Sequence, residues 1–184
     1  MDKADCKIFI IDDEEEILQS LALLLNSYGY KVEIFQNIDQ FLEAENYKGA
    51  GCILLDVFLG GKTGLELQEV IESKFDSLPI IFITGQGNIP MSVEAIKKGA
   101  LNFLQKPIDE KELLNAIDEA FNRSNALIIK QNEIDKFKSL VNSLTAREYE
   151  IFRYVITGTL NKQIASELGI AEHTVKNHRL NITE

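Results

Sequence analysis

The stretch CILLDVFLGGKTG, residues 52–64, leads from an apolar segment into one carboxylate and then into a turn that contains glycine. Residues 52–55 have the apolar character of a buried strand, and Asp56 follows them directly. A buried charge is costly unless it is paired or bound to a cation. We therefore expect other parts of the chain to supply partners for Asp56.

The composition is that of a globular protein. The 184 residues allow one large domain or two small ones, and 45% of them are hydrophobic. No apolar run approaches the roughly 20 residues that span a bilayer. The N-terminus is acidic and lacks a signal-peptide pattern, which predicts a cytoplasmic protein without a membrane partner. Cys6 and Cys52 lie in apolar, strand-like runs, so reduced core thiols are expected rather than a disulfide.

The net charge of −10 is unevenly distributed along the chain. Residues 1–121 hold 10 Lys and Arg against 22 Asp and Glu, a net of −12. Residues 122–184 hold 9 against 7, a net of +2. This asymmetry indicates two modules with different partners, of which only the second suits nucleic acid.

Strand-like and helix-like segments alternate through the first module. The expected strands are 7–11, 31–35, 52–55, 79–83 and 102–105. The expected helices are 15–29, 38–46, 64–74, 91–98 and 109–121. Nearly all-apolar strands that alternate with helices predict an α/β fold, a doubly wound five-stranded parallel sheet with helices on both faces.

Polar residues stand where the expected strands end, and the carboxyl ends of parallel strands are where such sheets bind ligands. These residues are Asp12, Asp13, Asp56, Thr84 and Lys106. Three carboxylates at one edge suit Mg²⁺, which would neutralise phosphoryl oxygens while Asp56 attacks as a nucleophile. Taken singly, each residue has a plainer interpretation: a helix N-cap pair for Asp12 and Asp13, turn residues for Asp56 and Thr84, and a solvated lysine.

The segments IIDDEEEI, ILLDVFLGGKTGLEL, PIIFITGQG and GALNFLQKP resemble the receiver domain of two-component response regulators, which has a flavodoxin-like fold. The resemblance covers residues 7–121 and implies that Asp56 is the phosphoacceptor. It also implies that Asp13, Asp56 and the backbone carbonyl of Phe58 bind Mg²⁺ directly, and that Asp12 binds it through water.

The same resemblance implies a switch made of three side chains. Thr84 is the switch hydroxyl, Lys106 the phosphate partner and Phe103 the switch aromatic. The sequence departs from the family pattern at Gly60, where proline is usual, and at Lys62, where an apolar residue is usual. Glycine makes the loop after the phosphoacceptor more permissive.

Residues 122–143 contain no proline or glycine and keep scattered apolar residues, which predicts a helical linker that continues the fifth helix. A flexible coil is the alternative. Pairing with a second copy is weakened because Ser124 and Gln131 interrupt the apolar seam. After the linker, Thr145 and Glu148 have the spacing of a helix capping box.

Residues 144–184 predict a small all-α domain. Three helices are expected: one from Thr145 closed by Gly158, one over 161–170 ended by Gly169, and one over 171–184. The segments LTAREYEIF, NKQIASELGI and EHTVKNHRLNI resemble the LuxR-type helix-turn-helix of NarL/FixJ response regulators. The resemblance implies base contacts from Lys176, Asn177 and Leu180. It implies phosphate contacts from Asn161, Lys162, Thr174 and Arg179. For His178, a contact with the DNA backbone and a local packing role are equally compatible with the sequence.

The given sequence ends at Glu184, inside the expected recognition helix. The family normally continues through a further helix that serves dimerisation. We therefore expect an incomplete domain, by truncation rather than by loss of the DNA-binding function. Residues 1–184 are expected to bind duplex DNA weakly or not at all.

The predicted function is that of a phosphorylation-activated transcription factor. A sensor histidine kinase would phosphorylate Asp56 with Mg²⁺, and the modified full-length protein would dimerise and bind duplex DNA. No enzymatic activity is expected beyond self-catalysed phosphotransfer and autodephosphorylation. An aspartyl-phosphate hydrolase is disfavoured because such enzymes usually carry a second Asp where this chain has Phe58. A receiver that no longer accepts phosphate is also disfavoured, because all five pocket residues are present.

Overall fold

The structure, a computed structural model, describes residues 6–43 and 47–183. The chain forms two compact units, the first ending at Lys130 and the second beginning at Gln131. The end of the expected second helix, residues 44–46, lies outside the described residues. The boundaries 1–121, 122–143 and 144–184 stay predictions.

The first unit is built on a five-stranded parallel sheet, as predicted. The strands of this sheet are β1 (Lys7–Ile11), β2 (Lys31–Phe35), β3 (Gly51–Asp56), β6 (Ile80–Thr84) and β7 (Asn102–Gln105). Two further strands, β4 (Phe58–Leu59) and β5 (Lys62–Thr63), pair only with each other. The order β2-β1-β3-β6-β7 makes β3 the central strand, and every neighbouring pair in this sheet is parallel. All six residues of β3 are buried, which agrees with helices on both faces.

Five helices accompany the sheet. They are α1 (Glu15–Ser27), α2 (Ile38–Glu43), α3 (Gly64–Lys74), α4 (Ile89–Lys97) and α5 (Glu110–Ser143). Helix α4 begins two residues earlier than the sequence predicted, because the Asn88 side chain accepts a hydrogen bond from the Met91 amide at 3.0 Å. The N-terminus of α4 is thus set by the Asn88 cap and not by Met91, where the sequence analysis began the helix.

Side chains of the central strand alternate between two cores. Leu54 belongs to the cluster that contains Leu18 of α1 and Ile117 of α5. Leu55 belongs to the opposite cluster, which contains Ile71 of α3. Cys6 and Cys52 are buried and form no disulfide with each other, as predicted. No helix among the described residues is both long enough and apolar enough to cross a membrane.

A short hairpin follows Asp56, which the sequence analysis did not predict. Strands β4 and β5 pair antiparallel through Phe58 with Thr63 and Leu59 with Lys62. The two residues between them, Gly60 and Gly61, have φ of +52° and +94°. A two-residue turn with positive φ at both positions favours glycine, so glycine rather than proline at residue 60 suits this hairpin.

Helix α5 is one continuous helix of 34 residues, and its range includes residues 122–143. The sequence left a helical linker and a flexible coil as alternatives for this segment, and the structure has a helix.

The Asp109 side chain accepts a hydrogen bond from the Glu112 amide at 2.9 Å just before α5 begins. Buried Ser124 donates to the Ser77 carbonyl at 2.6 Å and accepts from the Gly51 amide at 3.1 Å.

The second unit contains α6 (Ala146–Val155), α7 (Asn161–Leu168) and α8 (Glu172–Thr183). Its small core consists of Ile151, Ile164, Ala165 and Val175. The predicted capping box is present, because the Thr145 hydroxyl accepts from the Glu148 amide and the Glu148 carboxylate accepts from the Thr145 amide. Gly169 follows α7 with φ of +62°, as expected for a helix C-cap.

Candidate functional site

Strand topology brings the predicted pocket residues to one edge of the sheet. Asp12 and Lys106 follow β1 and β7, while Asp56 and Thr84 are the last residues of β3 and β6. Asp12 is 2% exposed, Asp56 7% and Thr84 0%. Two carboxylates are thus nearly withdrawn from water, so each requires a charged or hydrogen-bonding partner.

One ammonium supplies that partner to both carboxylates. Lys106 Nζ lies 2.7 Å from Asp12 Oδ2 and 3.2 Å from Asp56 Oδ1. The exposed carboxylate of Glu14 is also within 3.5 Å of it. Asp56 Oδ2 accepts a hydrogen bond of 2.7 Å from the Phe58 amide. Both oxygens of Asp56 are therefore engaged, which orients its carboxylate.

Burial raises the pKa of the Asp56 carboxyl. The hydrogen bond from the Phe58 amide and the positive charge of Lys106 act in the opposite direction, while the Asp12 charge adds to the rise. The pKa remains above the usual value for an aspartate, so desolvation is the dominant effect.

The Lys106 ammonium shows the opposite balance of effects. Burial alone would lower its pKa, but the hydrogen bond to Asp12 and the charges of Asp56 and Asp12 outweigh that effect. The pKa of Lys106 therefore lies above the usual lysine value, and the side chain is a permanent cation at neutral pH.

Asp13 lies apart from the Lys106 cluster. Its side chain is exposed, and Oδ2 accepts a hydrogen bond from the Gly60 amide at 3.1 Å. No group of three or more His, Cys, Asp or Glu side chains in residues 6–43 and 47–183 is arranged to hold a metal. The donor chemistry still suits a hard cation, because exposed Asp13 offers carboxylate oxygens from the same β1 end that carries Asp12.

The alternative that Asp12 and Asp13 cap the first helix is wrong. The N-cap position of α1 is Glu14, and no side chain caps it. Asp12 Oδ1 instead accepts from the Glu14 amide at 2.9 Å, upstream of the helix. The acidic pair is therefore not explained by helix capping.

Thr84 and Phe103 lie close to each other around a glycine that the sequence analysis overlooked. Thr84 Oγ1 accepts from the Gln86 amide at 3.2 Å. A Cβ on Gly87 would lie 2.7 Å from the Thr84 methyl and 2.8 Å from the half-buried Phe103 ring. Glycine at residue 87 thus leaves room for both predicted switch residues. The segment PIIFITGQG carried the family resemblance, but the sequence analysis assigned Gly87 no role.

Glu14 is the other residue that the sequence analysis did not assign to the site. The sequence shows that Glu14 directly follows Asp12 and Asp13. Its place just before the expected first helix did not distinguish it from the other acids at the start of that helix. The structure places its carboxylate beside Lys106, at the exposed side of the pocket.

The predicted base-contacting residues lie on α8 and are exposed. They are Lys176, Asn177 and Leu180, the last with 61% of its surface open to solvent. Lys162 on α7 is exposed as well. An amphipathic helix that buries Val175 and exposes a cation beside an amide has the side chains that contact phosphates and base edges.

The remaining predicted phosphate contacts are half-buried, and two of them bond to each other. Arg179 donates to the Asn161 side-chain oxygen at 2.8 Å, which joins α8 to the first residue of α7. Thr174 is also half-buried. His178 has a buried Nδ1 without a hydrogen-bond partner among the described residues, which favours local packing for this ring.

Comparison with known proteins agrees with this architecture. The family described as "Response regulator receiver domain" matches residues 8–118, and "Bacterial regulatory proteins, luxR family" matches residues 142–184. The chain is a response regulator of the NarL/FixJ family. A receiver joined to a LuxR-type DNA-binding domain supports a role in transcription regulation.

Relatives match this response regulator over most of its length. The response regulator protein TodT of Pseudomonas putida is 41% identical over 175 residues, which cover 95% of this chain and 77% of TodT. FixJ of Bradyrhizobium diazoefficiens is 33% identical over 175 residues, which cover 95% of this chain and 85% of FixJ. The solved response regulator StyR is 42% identical with a TM-score of 0.81, covering 97% of this chain and 90% of StyR.

Proposed function

We propose that Asp56 accepts a phosphoryl group from the phosphohistidine of a sensor histidine kinase. An Asp56 oxygen attacks the phosphorus, the P–N bond breaks and its electron pair stays on the histidine, leaving an acyl phosphate on Asp56. The single observation that carries the proposal is the geometry around Asp56. Its carboxylate is buried at the end of the central strand, oriented by the Phe58 amide and 3.2 Å from the Lys106 ammonium.

Receiver domains of this family generally bind Mg²⁺ at the phosphorylation site. In this chain we propose that Asp13, Asp56 and the Phe58 carbonyl would hold the ion, with Asp12 contributing through water. When bound, the ion supplies positive charge to phosphoryl oxygens. Lys106 would then exchange its contact with Asp56 for one with a phosphoryl oxygen while keeping its shorter contact with Asp12.

Phosphorylation is proposed to act through Thr84 and Phe103. The hydroxyl of Thr84 would turn from the Gln86 amide to a phosphoryl oxygen, and the Phe103 ring, which lies beside Gly87, would change position with it. The altered surface favours a homodimer, which places two LuxR-type modules on duplex DNA. This sequence of events belongs to the cytoplasm, where the kinase output and the DNA meet.

We propose no turnover activity beyond self-catalysed phosphotransfer and autodephosphorylation. An aspartyl-phosphate hydrolase would need an acid–base group two residues after its nucleophile. That position is Phe58, whose side chain has no titratable group.

The test is covalent labelling of the intact chain by acetyl phosphate and Mg²⁺, measured by mass spectrometry. Asp56→Asn keeps the size of the side chain but removes the nucleophile, so labelling should fall to background. Asp76→Asn, which changes an exposed aspartate, is the matched control and should label like the unmodified chain. Equal labelling of Asp56→Asn and the control would refute Asp56 as the acceptor.

A further inference from the structure

The C-terminal part of α5 carries large apolar side chains that are open to solvent. Ile134 is 37% exposed, Phe137 67% and Leu140 55%. They lie in the second unit, and none of them belongs to its core cluster of described residues. Exposed apolar side chains grouped on one helix indicate an interaction surface.

Four of the apolar residues recur at the spacing of a coiled coil. Ile134, Phe137, Val141 and Leu144 are separated by three, four and three residues, and the last lies directly after α5 ends. We call these four residues the linker seam. In heptad terms the three helical members, Ile134, Phe137 and Val141, occupy positions a, d and a, with β-branched residues at both a positions, and Leu144 continues the spacing just beyond the helix end. β-branched residues at the a positions favour a parallel coiled coil of two helices.

Two residues argued against pairing at the sequence level, and the structure accounts for both. Ser124 is buried in the first unit, where its hydroxyl bonds to Ser77 and Gly51. It therefore belongs to the receiver and precedes the linker seam. Gln131 is at an e position, beside the seam, and its amide donates to Asp135 at 3.0 Å.

Charges beside the linker seam are complementary between two copies. Glu133 is at a g position, and exposed Lys138 is at the e position five residues later. In a parallel pair, g of one helix faces e of the other, so two Glu133–Lys138 pairs form by symmetry. Within one chain, Lys138 Nζ is 3.8 Å from Asp135, beyond hydrogen-bond distance. Antiparallel pairing would instead oppose g with g and e with e, so Glu133 and Lys138 would not face each other.

From this combination we infer that the linker seam is a dimer contact whose occupant is the same seam of a second copy, in parallel. The inference rests on the proposed function. Two heptads are short of the roughly three to four that argue for a self-sufficient coiled coil. Phosphorylated receivers that pair would raise the local concentration of the two linkers, and the seam would then close and strengthen the dimer.

The first test measures dimerisation of the whole chain by analytical ultracentrifugation, with and without acetyl phosphate and Mg²⁺. Phe137→Glu places a charge in the linker seam and should weaken the phosphorylated dimer about tenfold, as loss of one central contact does. Ile129→Glu is the matched control, because Ile129 is 60% exposed on the same helix but lies off the seam. Its dimer should remain within about twofold of the unmodified chain.

Charge reversal tests the parallel arrangement. Glu133→Lys and Lys138→Glu should each weaken the phosphorylated dimer, and the double variant should recover it. Equal dimerisation of the Phe137 and Ile129 variants, or no recovery in the double variant, would overturn the inference. Mass spectrometry of the same samples reports Asp56 labelling, so a failure of phosphorylation is distinguished from a failure of the linker contact.

Cross-linking gives a readout that requires contact at a defined position. Parallel pairing places residue 141 opposite its own copy, so Val141→Cys should form an interchain disulfide upon oxidation of the phosphorylated protein. Asn142→Cys, one residue outside the seam, is the control and should cross-link far less. Cys6 and Cys52 are buried and present in both variants. Equal cross-linking of the two variants would contradict a defined parallel seam.

Discussion

At the scale of residues, the Lys106 ammonium neutralises two buried carboxylates at the edge of the sheet. Asp12 and Asp56 are nearly buried and both lie within 3.2 Å of it. A buried carboxylate without its cation is strongly destabilising. Lys106 therefore has a structural role before phosphorylation as well as its proposed role as a phosphate partner.

Asp13 and Glu16 provide a direct test of the proposed metal site. Both acids are exposed near the start of α1, but only Asp13 comes from the β1 end and contacts the loop after Asp56. Asp13→Ala should raise the Mg²⁺ concentration needed for half-maximal labelling by about tenfold or more, the loss of one direct ligand. Glu16→Ala should change it by less than about twofold. Equal shifts in a Mg²⁺ titration of the labelling rate would refute Asp13 as a ligand.

The raised pKa of Asp56 predicts a pH-dependent stability difference. The folded state keeps the Asp56 proton at pH values where the unfolded chain has lost it, so this carboxyl opposes folding increasingly as pH rises through that interval. Asp56→Asn cannot ionise. Its free energy of unfolding, relative to the unmodified chain, should therefore increase between about pH 3 and pH 7. Urea titrations across this range would contradict the prediction if the difference were constant or decreased.

At the scale of elements, the first half of α5 packs its apolar face against the sheet, and one buried hydroxyl adds a polar contact. The Ser124 hydroxyl accepts a hydrogen bond from the amide of Gly51, the first residue of β3. It donates one to the carbonyl of Ser77, in the loop before β6. Such polar contacts at a buried site are specific, because no water is available to replace them. The helix is therefore held in register with the central strand at the point where the receiver ends and the linker segment follows.

Replacement of Ser124 by alanine should consequently destabilise the first unit. The variant loses two hydrogen bonds and leaves the amide of buried Gly51 and the carbonyl of half-buried Ser77 without this partner, a cost of about 1–3 kcal/mol in the free energy of unfolding. Ser143→Ala is the control, because that exposed hydroxyl bonds only within α5, to the Leu140 carbonyl. Its effect should stay within about 0.5 kcal/mol. Thermal and chemical unfolding of both variants would decide; equal stabilities would mean that Ser124 is replaceable.

At the scale of the whole molecule, the charge asymmetry distinguishes an acidic receiver domain from a mildly basic DNA-binding domain. The first 121 residues carry a net charge of −12, which disfavours nucleic acid, whereas the remainder carries +2. DNA affinity must therefore come from a few placed cations in the second unit. Among them, Lys176 and Lys162 are exposed, while Arg179 is bonded to Asn161.

In a longer chain that carries the further helix of the family, Lys176→Ala is predicted to weaken DNA binding and leave phosphorylation of Asp56 unchanged. Loss of one phosphate contact should reduce the slope of log affinity against log salt by about 0.9; loss of a base contact should instead relax sequence preference. Lys136→Ala, an exposed lysine on α5, is the matched control. Salt titrations with a DNA fragment selected by this protein, together with Asp56 labelling, provide the measurement. The prediction is contradicted if both variants bind alike.

The sequence by itself determined the order of elements, the parallel sheet and the polar residues at strand ends. Those conclusions depend on local periodicity and on a topological rule, both of which are visible in a single chain. Only the tertiary structure decided which side chains meet: Lys106 with Asp12 across 94 positions of the chain, and Gly87 with Phe103. Such contacts depend on loop paths and rotamers that no local pattern encodes. The same reason explains why Ser124, a break in an apolar seam by sequence, is a buried hydrogen-bonding residue in the fold.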